Sequence, residues 1–460
     1  MDWNFLIKNK DSLCVSTDTR NLPAGCVFFA LCGDNFDGNR FAAQALDKGA
    51  SMAIVTNEEV YNQLIKDYGA DRAYLVPPPA AGSPQVRGRS GVHLKGEPEG
   101  VQGVPALQSL ALAWRRELGL PIIGITGTNG KTTTKELLAA VLSTKYNIYY
   151  TQGNLNNSIG VPLTLLSITR AHQMAIVEMG ASHPGDITEL VNVAEPNYGL
   201  ITNVGRAHLQ GFGSFEGVQR TKRELYDYLL THHGYIFRNI DNPYLAQMYE
   251  EAKRDAENTI GAVTTPSPFE GGVGGGPEGG VGGGQGSLLY TTGVMPTGTH
   301  LVGSYNAENI SAALCVGEYF GISREQGLEA IRAYVPTNNR SQALDTAHNH
   351  LIVDAYNANP TSMQAAINAF TGDTYILGAM RELGGYSHLE HQNIVNMLAE
   401  RKADTVFLVG DEYRTTTSPY PVFTIVDDLC TYLQSHPLTH RHILLKGSHS
   451  NHMETLLPYL

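Results

Sequence analysis

Short apolar runs alternate with stretches of helical periodicity along most of this chain. Residues 26–31 and 53–56 read as strands around a helix over 41–48, because brief apolar runs bounded by polar residues suit a strand buried on both faces. Residues 106–118 repeat Leu107, Leu110, Leu112 and Trp114 on one helical face. Next, 121–126 reads as a strand, 127–130 as a turn and Lys131–Leu142 as a helix that turns Leu137, Leu138, Val141 and Leu142 inward. Further strands are expected over 174–179 and 198–203. A last group follows at His350–Asp354, 374–377, Thr405–Val409 and 443–446, with helices such as 362–370 between them. Strands that alternate with helices predict parallel sheets whose working edge lies at the strands' carboxyl ends.

Two stretches break this texture. Residues 77–103 are rich in Gly, Pro and small polar residues, and 266–286 is nearly all Gly. Neither can bury enough surface to offset its ordering entropy, so both are expected to be mobile loops. A phosphate cradle in the second would need a flanking strand, helix and polar anchor, which the repeat lacks. The expected fold is α/β in three domains. A small α/β N-terminal domain spans 1–103, a central phosphate-loop (P-loop) parallel-sheet ATPase domain spans 104–336, and a Rossmann-like C-terminal domain spans 337–460.

A length of 460 residues agrees with about three cores. The net charge of −12 argues against nucleic acid as a partner, although a nest of backbone N–H groups can still hold a small polyanion. The five cysteines, Cys14, Cys26, Cys32, Cys315 and Cys430, show no knuckle or redox spacing and read as buried thiols of a reducing compartment. Neither a signal-peptide pattern at the start nor an apolar run of membrane length is present, so a cytoplasmic protein without membrane insertion is expected.

The densest chemistry lies at Gly124-Ile-Thr-Gly127-Thr128-Asn129-Gly130-Lys131-Thr132-Thr133. Small residues let the backbone curl around phosphate oxygens, and the following helix aims its N–H groups at them. Lys131 supplies a cation for the β- and γ-phosphates, and the Thr132 hydroxyl suits Mg2+. The spacing departs from the common loop, since Ile125 stands where the first Gly belongs. Glu178 ends an apolar strand, the usual place for a carboxylate that completes a magnesium site. His208 follows the strand at 198–203; alone, it could equally be a hydrogen-bonded core residue.

These segments, with Asn154-Leu-Asn156-Asn157-Ser158-Ile-Gly160-Val-Pro162, resemble the central domain of the Mur ligases. The run Asp354-Ala-Tyr356-Asn357-Ala-Asn359-Pro360-Thr-Ser362-Met363 is similar to the members that add D-alanyl-D-alanine to UDP-N-acetylmuramoyl-tripeptide. Leu377–Gly384, Lys446-Gly-Ser448 and Thr17-Asp18-Thr19-Arg20 support the likeness, which covers nearly the whole chain outside the two inserts.

The resemblance implies an ADP-forming peptide ligase that uses ATP and Mg2+. Gly127, Thr128, Asn129, Gly130, Lys131, Thr132 and Thr133 would hold the phosphates. Asn239 would meet the adenine, with Arg340, Asp354, Tyr356 and Asn357 closing over the nucleotide. Thr132 and Glu178 would hold one magnesium, and His208 would help hold a second. Lys222, which by itself reads as a solvated helix lysine, matches a lysine carbamylated in this family and so would become an anionic ligand. Thr19, Arg20, Asn156 and Ser158 would contact the UDP-substrate. A catalytic set of Lys131, His208 and Lys222 and a monomeric state go with this likeness, and the need to keep water from an acyl phosphate predicts a domain rotation on ATP binding. Tyr305 stands where a histidine is usual, and Ser448–His452 replaces a usual Arg-Gly stretch. The rival readings are a relative adding another amino acid or extending folate, and a nucleotide-binding switch without catalysis.

Overall fold

A computed structural model of the chain describes residues 1–33, 35–76, 101–260, 287–336 and 340–460. Three sheets organise it. The N-terminal sheet has four parallel strands in the order Val15–Ser16, Val27–Phe29, Met52–Val55 and Ala73–Leu75, beside a hairpin of Cys32–Gly33 and Phe36–Asp37. Register places Val15 opposite Val27, which makes Cys14 and Cys26 neighbours with Cα atoms 4.5 Å apart. Cys26 is buried but Cys14 is exposed, which corrects the expectation that all five thiols are buried. Cys315 and Cys430 are buried and free, and Cys32 is half-buried.

The central sheet has six parallel strands in the order Ser287–Tyr290, Tyr235–Asn239, Tyr198–Ile201, Ile122–Thr126, Met174–Glu178 and Ile148–Tyr150. Its apolar runs are buried on both faces. Ile122, Ala175 and Val177 join one core with helices Val104–Leu118, Gly160–Leu166, Asp186–Ala194 and Phe215–Thr231. Ile123, Ile125, Met174 and Ile176 join the opposite core with Lys131–Leu142, Asn306–Tyr319 and Arg324–Ala333. This two-residue alternation is what a strand covered by helices on both faces requires. In helix Val104–Leu118, Leu107, Leu110 and Trp114 are buried as expected, whereas Leu112 is only half-buried at the edge of the apolar stripe.

The C-terminal sheet runs Gln342–Asp345, His350–Asp354, His442–Lys446, Thr374–Gly378, Thr405–Val409 and Val422–Phe423. The first strand is antiparallel to its neighbour, and the others are parallel. Of the two expected loops, 77–100 and 266–286 lie outside the described residues. The last part of the first loop is structured: Gln102 bridges to Cys32, and Gly103 opens the helix Val104–Leu118.

Candidate functional site

In the central sheet the chain departs from strand Ile122–Thr126 first toward one edge and later toward the other, through Tyr198–Ile201. That reversal opens a crevice at the carboxyl ends of the two strands. The glycine turn sits there and leans on the neighbouring strand end. Thr128 N–H donates to the Asn203 carbonyl at 2.9 Å, and Thr202 Oγ1 donates to the Asn129 carbonyl at 2.6 Å. Gly127 has φ +141°, and a Cβ there would stand 2.0 Å from Thr202 Oγ1, so only glycine lets the turn close this tightly.

A cavity of about 920 Å³ opens from this crevice and is bounded by the central and C-terminal domains. Thr128, Asn129, Gly130, Lys131, Thr132, Thr133, Asn156, Ser158, Glu178, His208, Arg340, Asp354, Tyr356 and Asn357 all line it. Lys131 Nζ donates to the carbonyls of Gly127 and Thr128 at 2.8 and 3.1 Å. Burial pulls its pKa below the usual lysine range, against the attraction of Glu178, and the charge of Arg340 lowers it further.

Glu178 is 1 % exposed. Its Oε1 accepts from Asn156 Nδ2 at 2.8 Å and Thr132 Oγ1 at 3.3 Å, while Oε2 is buried without a hydrogen-bond partner. The Lys135 ammonium stays 3.9 Å from Oε2 and donates instead to the Thr151 carbonyl at 2.7 Å. A hydroxyl beside a desolvated carboxylate with one oxygen to spare is a donor set that fits a hard divalent cation.

Lys222, on helix Phe215–Thr231, is 2 % exposed, so the reading of a solvated helix lysine is wrong: position on the helix could not show which face meets the core. Its ammonium lies 5.5 Å from the centre of the Phe212 ring, which also packs edge-on against His208. Burial first, then repulsion from Lys131, pushes the Lys222 pKa well below its ordinary value, and Asp186 and Glu224 only partly oppose this. His208 Nδ1 contacts the Glu382 carboxylate of the C-terminal domain. Lys131, Glu178 and His208 therefore share the cavity, while Lys222 is buried behind its wall, close enough to Lys131 to feel its charge.

Of the expected residues, Gly127 and Lys222 lie just behind the cavity lining, and Asn239, Thr19 and Arg20 lie elsewhere. Asn239 is 1 % exposed and does not line the cavity. Its Nδ2 donates to Thr292 Oγ1 at 2.9 Å and Glu308 Oε1 at 3.0 Å, and its Oδ1 accepts from the Asp241 N–H at 3.0 Å, so the protein uses both ends of the amide. Thr19 and Arg20 stand in the N-terminal domain outside the cavity. The Arg20 side chain is 86 % exposed and paired with Asp18 at 2.6 Å, whose carboxyl it holds down at about 2. Tyr305 hydrogen-bonds Ser341 at 2.7 Å, and burial raises its phenol, so it is a neutral hydrogen-bonding group at the cavity wall. The sequence reading missed His183, Asp186, Asn242 and Glu308, which also line the cavity. His183 and Asp186 belong to no short motif, whereas Asn242 and Glu308 lie close to Asn239 and Tyr305 in sequence.

The chain is similar to known proteins along most of its length. Residues 14–77 match the Mur ligase family catalytic domain, 125–317 the Mur ligase middle domain and 339–427 the Mur ligase glutamate ligase domain. The chain is similar to the UDP-N-acetylmuramoyl-tripeptide–D-alanyl-D-alanine ligase of Bacillus subtilis (strain 168), at 34 % identity over 86 % of this chain and 79 % of that protein. It is also similar to the equally named ligase of Escherichia coli K12, at 30 % identity over 96 % and 92 %. A crystal structure of MurF from Acinetobacter baumannii superposes with a TM-score of 0.73 at 27 % identity, covering 96 % of this chain and 92 % of that one.

Proposed function

The chain belongs to the Mur ligase family, and from that premise we propose that it is an ATP-dependent, ADP-forming ligase joining D-alanyl-D-alanine to UDP-N-acetylmuramoyl-tripeptide in peptidoglycan synthesis. One observation carries the reading: Lys131, Thr132 and the half-satisfied Glu178 carboxylate share a cavity with Arg340 and Asp354 of the C-terminal domain.

A carboxylate resists amine attack because oxide would have to leave. Phosphoryl transfer from ATP to the peptide carboxylate replaces that leaving group with phosphate. The amine then adds to the acyl carbon, and phosphate departs as the amide forms. Lys131 and Arg340 neutralise charge on the phosphates, and the N–H groups of Gly127–Thr133 orient them. Thr132 Oγ1 and Glu178 would hold a magnesium ion, with His208 and a carbamate on Lys222 at a second; bound there, the metal neutralises the transferring phosphoryl group and the oxyanion. The depressed Lys222 pKa leaves a larger share as free amine, which adds to carbon dioxide with loss of one proton. Asn156 and Ser158 are assigned to the acceptor peptide, Thr19 and Arg20 to its UDP end, and Asp354, Tyr356 and Asn357 to the nucleotide. Asn239 would act on the adenine side of the site through Glu308, which it holds at the cavity wall.

The proposed domains are 1–103, 104–336 and 337–460, in a cytoplasmic monomer that closes its C-terminal domain over ATP to keep water from the acyl phosphate. No described helix is long and apolar enough to cross a membrane. The deciding assay offers D-alanyl-D-alanine, L-lysine, diaminopimelate and glutamate in turn and follows phosphate release. Release should require both the UDP-tripeptide and D-alanyl-D-alanine. Release without either, or with glutamate alone, sinks the proposal.

A further inference from the structure

The second asparagine of the Asn357–Pro360 run has no task in the mechanism above. Asn359 is 3 % exposed and caps the helix Pro360–Ala369. Its Oδ1 accepts from the Ser362 N–H at 2.9 Å, and its own N–H donates to Ser362 Oγ at 3.1 Å. The cap fixes which side-chain atom is oxygen, so the NH2 end turns to the other domain and donates to Asn129 Oδ1 of the phosphate loop at 2.7 Å.

Asn129 is held from the other side as well, its N–H donating to Asn203 Oδ1 at 3.0 Å. Two residues beyond Asn359, Thr361 Oγ1 accepts from the Arg206 N–H at 3.0 Å. The first turn of one C-terminal helix thus grips both loops that form the central crevice. Arg206 also reaches the buried Glu390 carboxylate at 3.0 Å, and Gln210 N–H donates to the Glu382 carbonyl at 3.2 Å.

We infer that Asn359 is a positioning residue that couples seating of the C-terminal domain to the shape of the phosphate loop. It acts through Asn129, which lines the cavity between Thr128 and Gly130. Loop N–H groups stabilise a transferring phosphoryl group only when aimed correctly, and this bond fixes the loop when the domains are together. The task needs an acceptor for the cap and a donor for the loop on one short side chain. Asparagine provides both, aspartate lacks the donor, and serine caps equally well but lacks the reach.

For its catalytic arm the inference rests on the ligase reading; its structural arm does not. Asn359→Ser in the full chain keeps the cap and removes only the bond between domains. Its melting temperature should match the parent, while kcat falls about tenfold or more with nucleotide affinity little changed. Solution scattering with a non-hydrolysable ATP analogue and UDP-tripeptide should show a less compact particle than the parent. Asn129→Ala should lose the same compaction, and the double variant should be no slower than the slower single one. Parent-like kcat and compaction in Asn359→Ser, or multiplicative losses in the double variant, would overturn the coupling. Should Asn359→Ser fail to fold, Asn129→Ala breaks the same bond from the loop side, and unchanged compaction there has the same force. If the parent shows no dipeptide-dependent phosphate release, the ligase reading fails while scattering still tests the coupling.

Discussion

The central and C-terminal sheets both bury lysines at the carboxyl ends of their strands, but they satisfy them differently. In the C-terminal sheet Lys446 faces Asp354 in register on the adjacent strand, and Nζ donates to Asp354 Oδ2 at 2.6 Å and the Asn357 carbonyl at 3.2 Å. That charge is neutralised within the fold. In the central domain Lys131 and Lys135 donate to carbonyl oxygens, and Lys131 and Lys222 repel one another; burial depresses all three pKa values. Lys135 has the Glu136 and Glu178 carboxylates at 3.9 Å, but Lys131 and Lys222 have no carboxylate within ion-pair distance among the described residues; such buried cations cost stability, and proteins keep them where an anion is to be received. Lys446 and Lys131 line the same cavity, so the difference is one of charge balance: one cation is already neutralised by the fold, and the other is left for an anion.

Replacing the lysines one at a time tests that contrast. Lys131→Met should lower dipeptide-dependent phosphate release by about 10²–10³-fold, yet leave the denaturation midpoint unchanged or slightly higher, because the charge it removes is poorly compensated. Lys446→Met should do the reverse to stability, costing about 3 kcal/mol in a denaturant melt by stranding the Asp354 carboxylate. Equal destabilisation by both would erase the distinction. Arg20→Ala, away from both lysine sets, should raise the KM for the UDP-substrate about tenfold without moving the melting temperature, since its exposed pair with Asp18 adds little. An unchanged KM would remove Arg20 from the substrate site.

The smallest expected effect concerns His391, the buried imidazole of the C-terminal domain. Its Nε2 accepts the Met380 N–H at 3.0 Å, and burial holds its pKa below the usual 6.5. A folded-state value below the unfolded one gives stability that is present above 6.5 and lost as pH falls through the window beneath it. His391→Gln, which can accept but not titrate, should flatten the melting temperature between about pH 7 and 5. A slope identical to the parent's would assign that loss to other groups.

Much of the architecture was legible from sequence because central strands are uniformly apolar and their helices periodic. Lys131–Leu142, His350–Asp354 and Thr405–Val409 have the bounds expected of them. The edge strands Ile148–Tyr150 and Gln342–Asp345 escaped, being short and only partly buried, so neither alternation nor an apolar run marks them. The phosphate loop and Glu178 could be read locally, since their chemistry sits in contiguous residues. Lys222, Arg206, His183 and Asn242 could not, because tertiary packing alone decides what such residues face. The pairing of Cys14 with Cys26 escaped for the same reason: strand register, not spacing, sets one against the other.

Gly205 sits where the two halves meet, and a Cβ added there would stand 2.6 Å from Thr361 Oγ1. The two domains therefore leave no room for a side chain at this point. A side chain at 205 would push Thr361 away from the Arg206 N–H it now accepts from, so a methyl group there would prise the two domains apart.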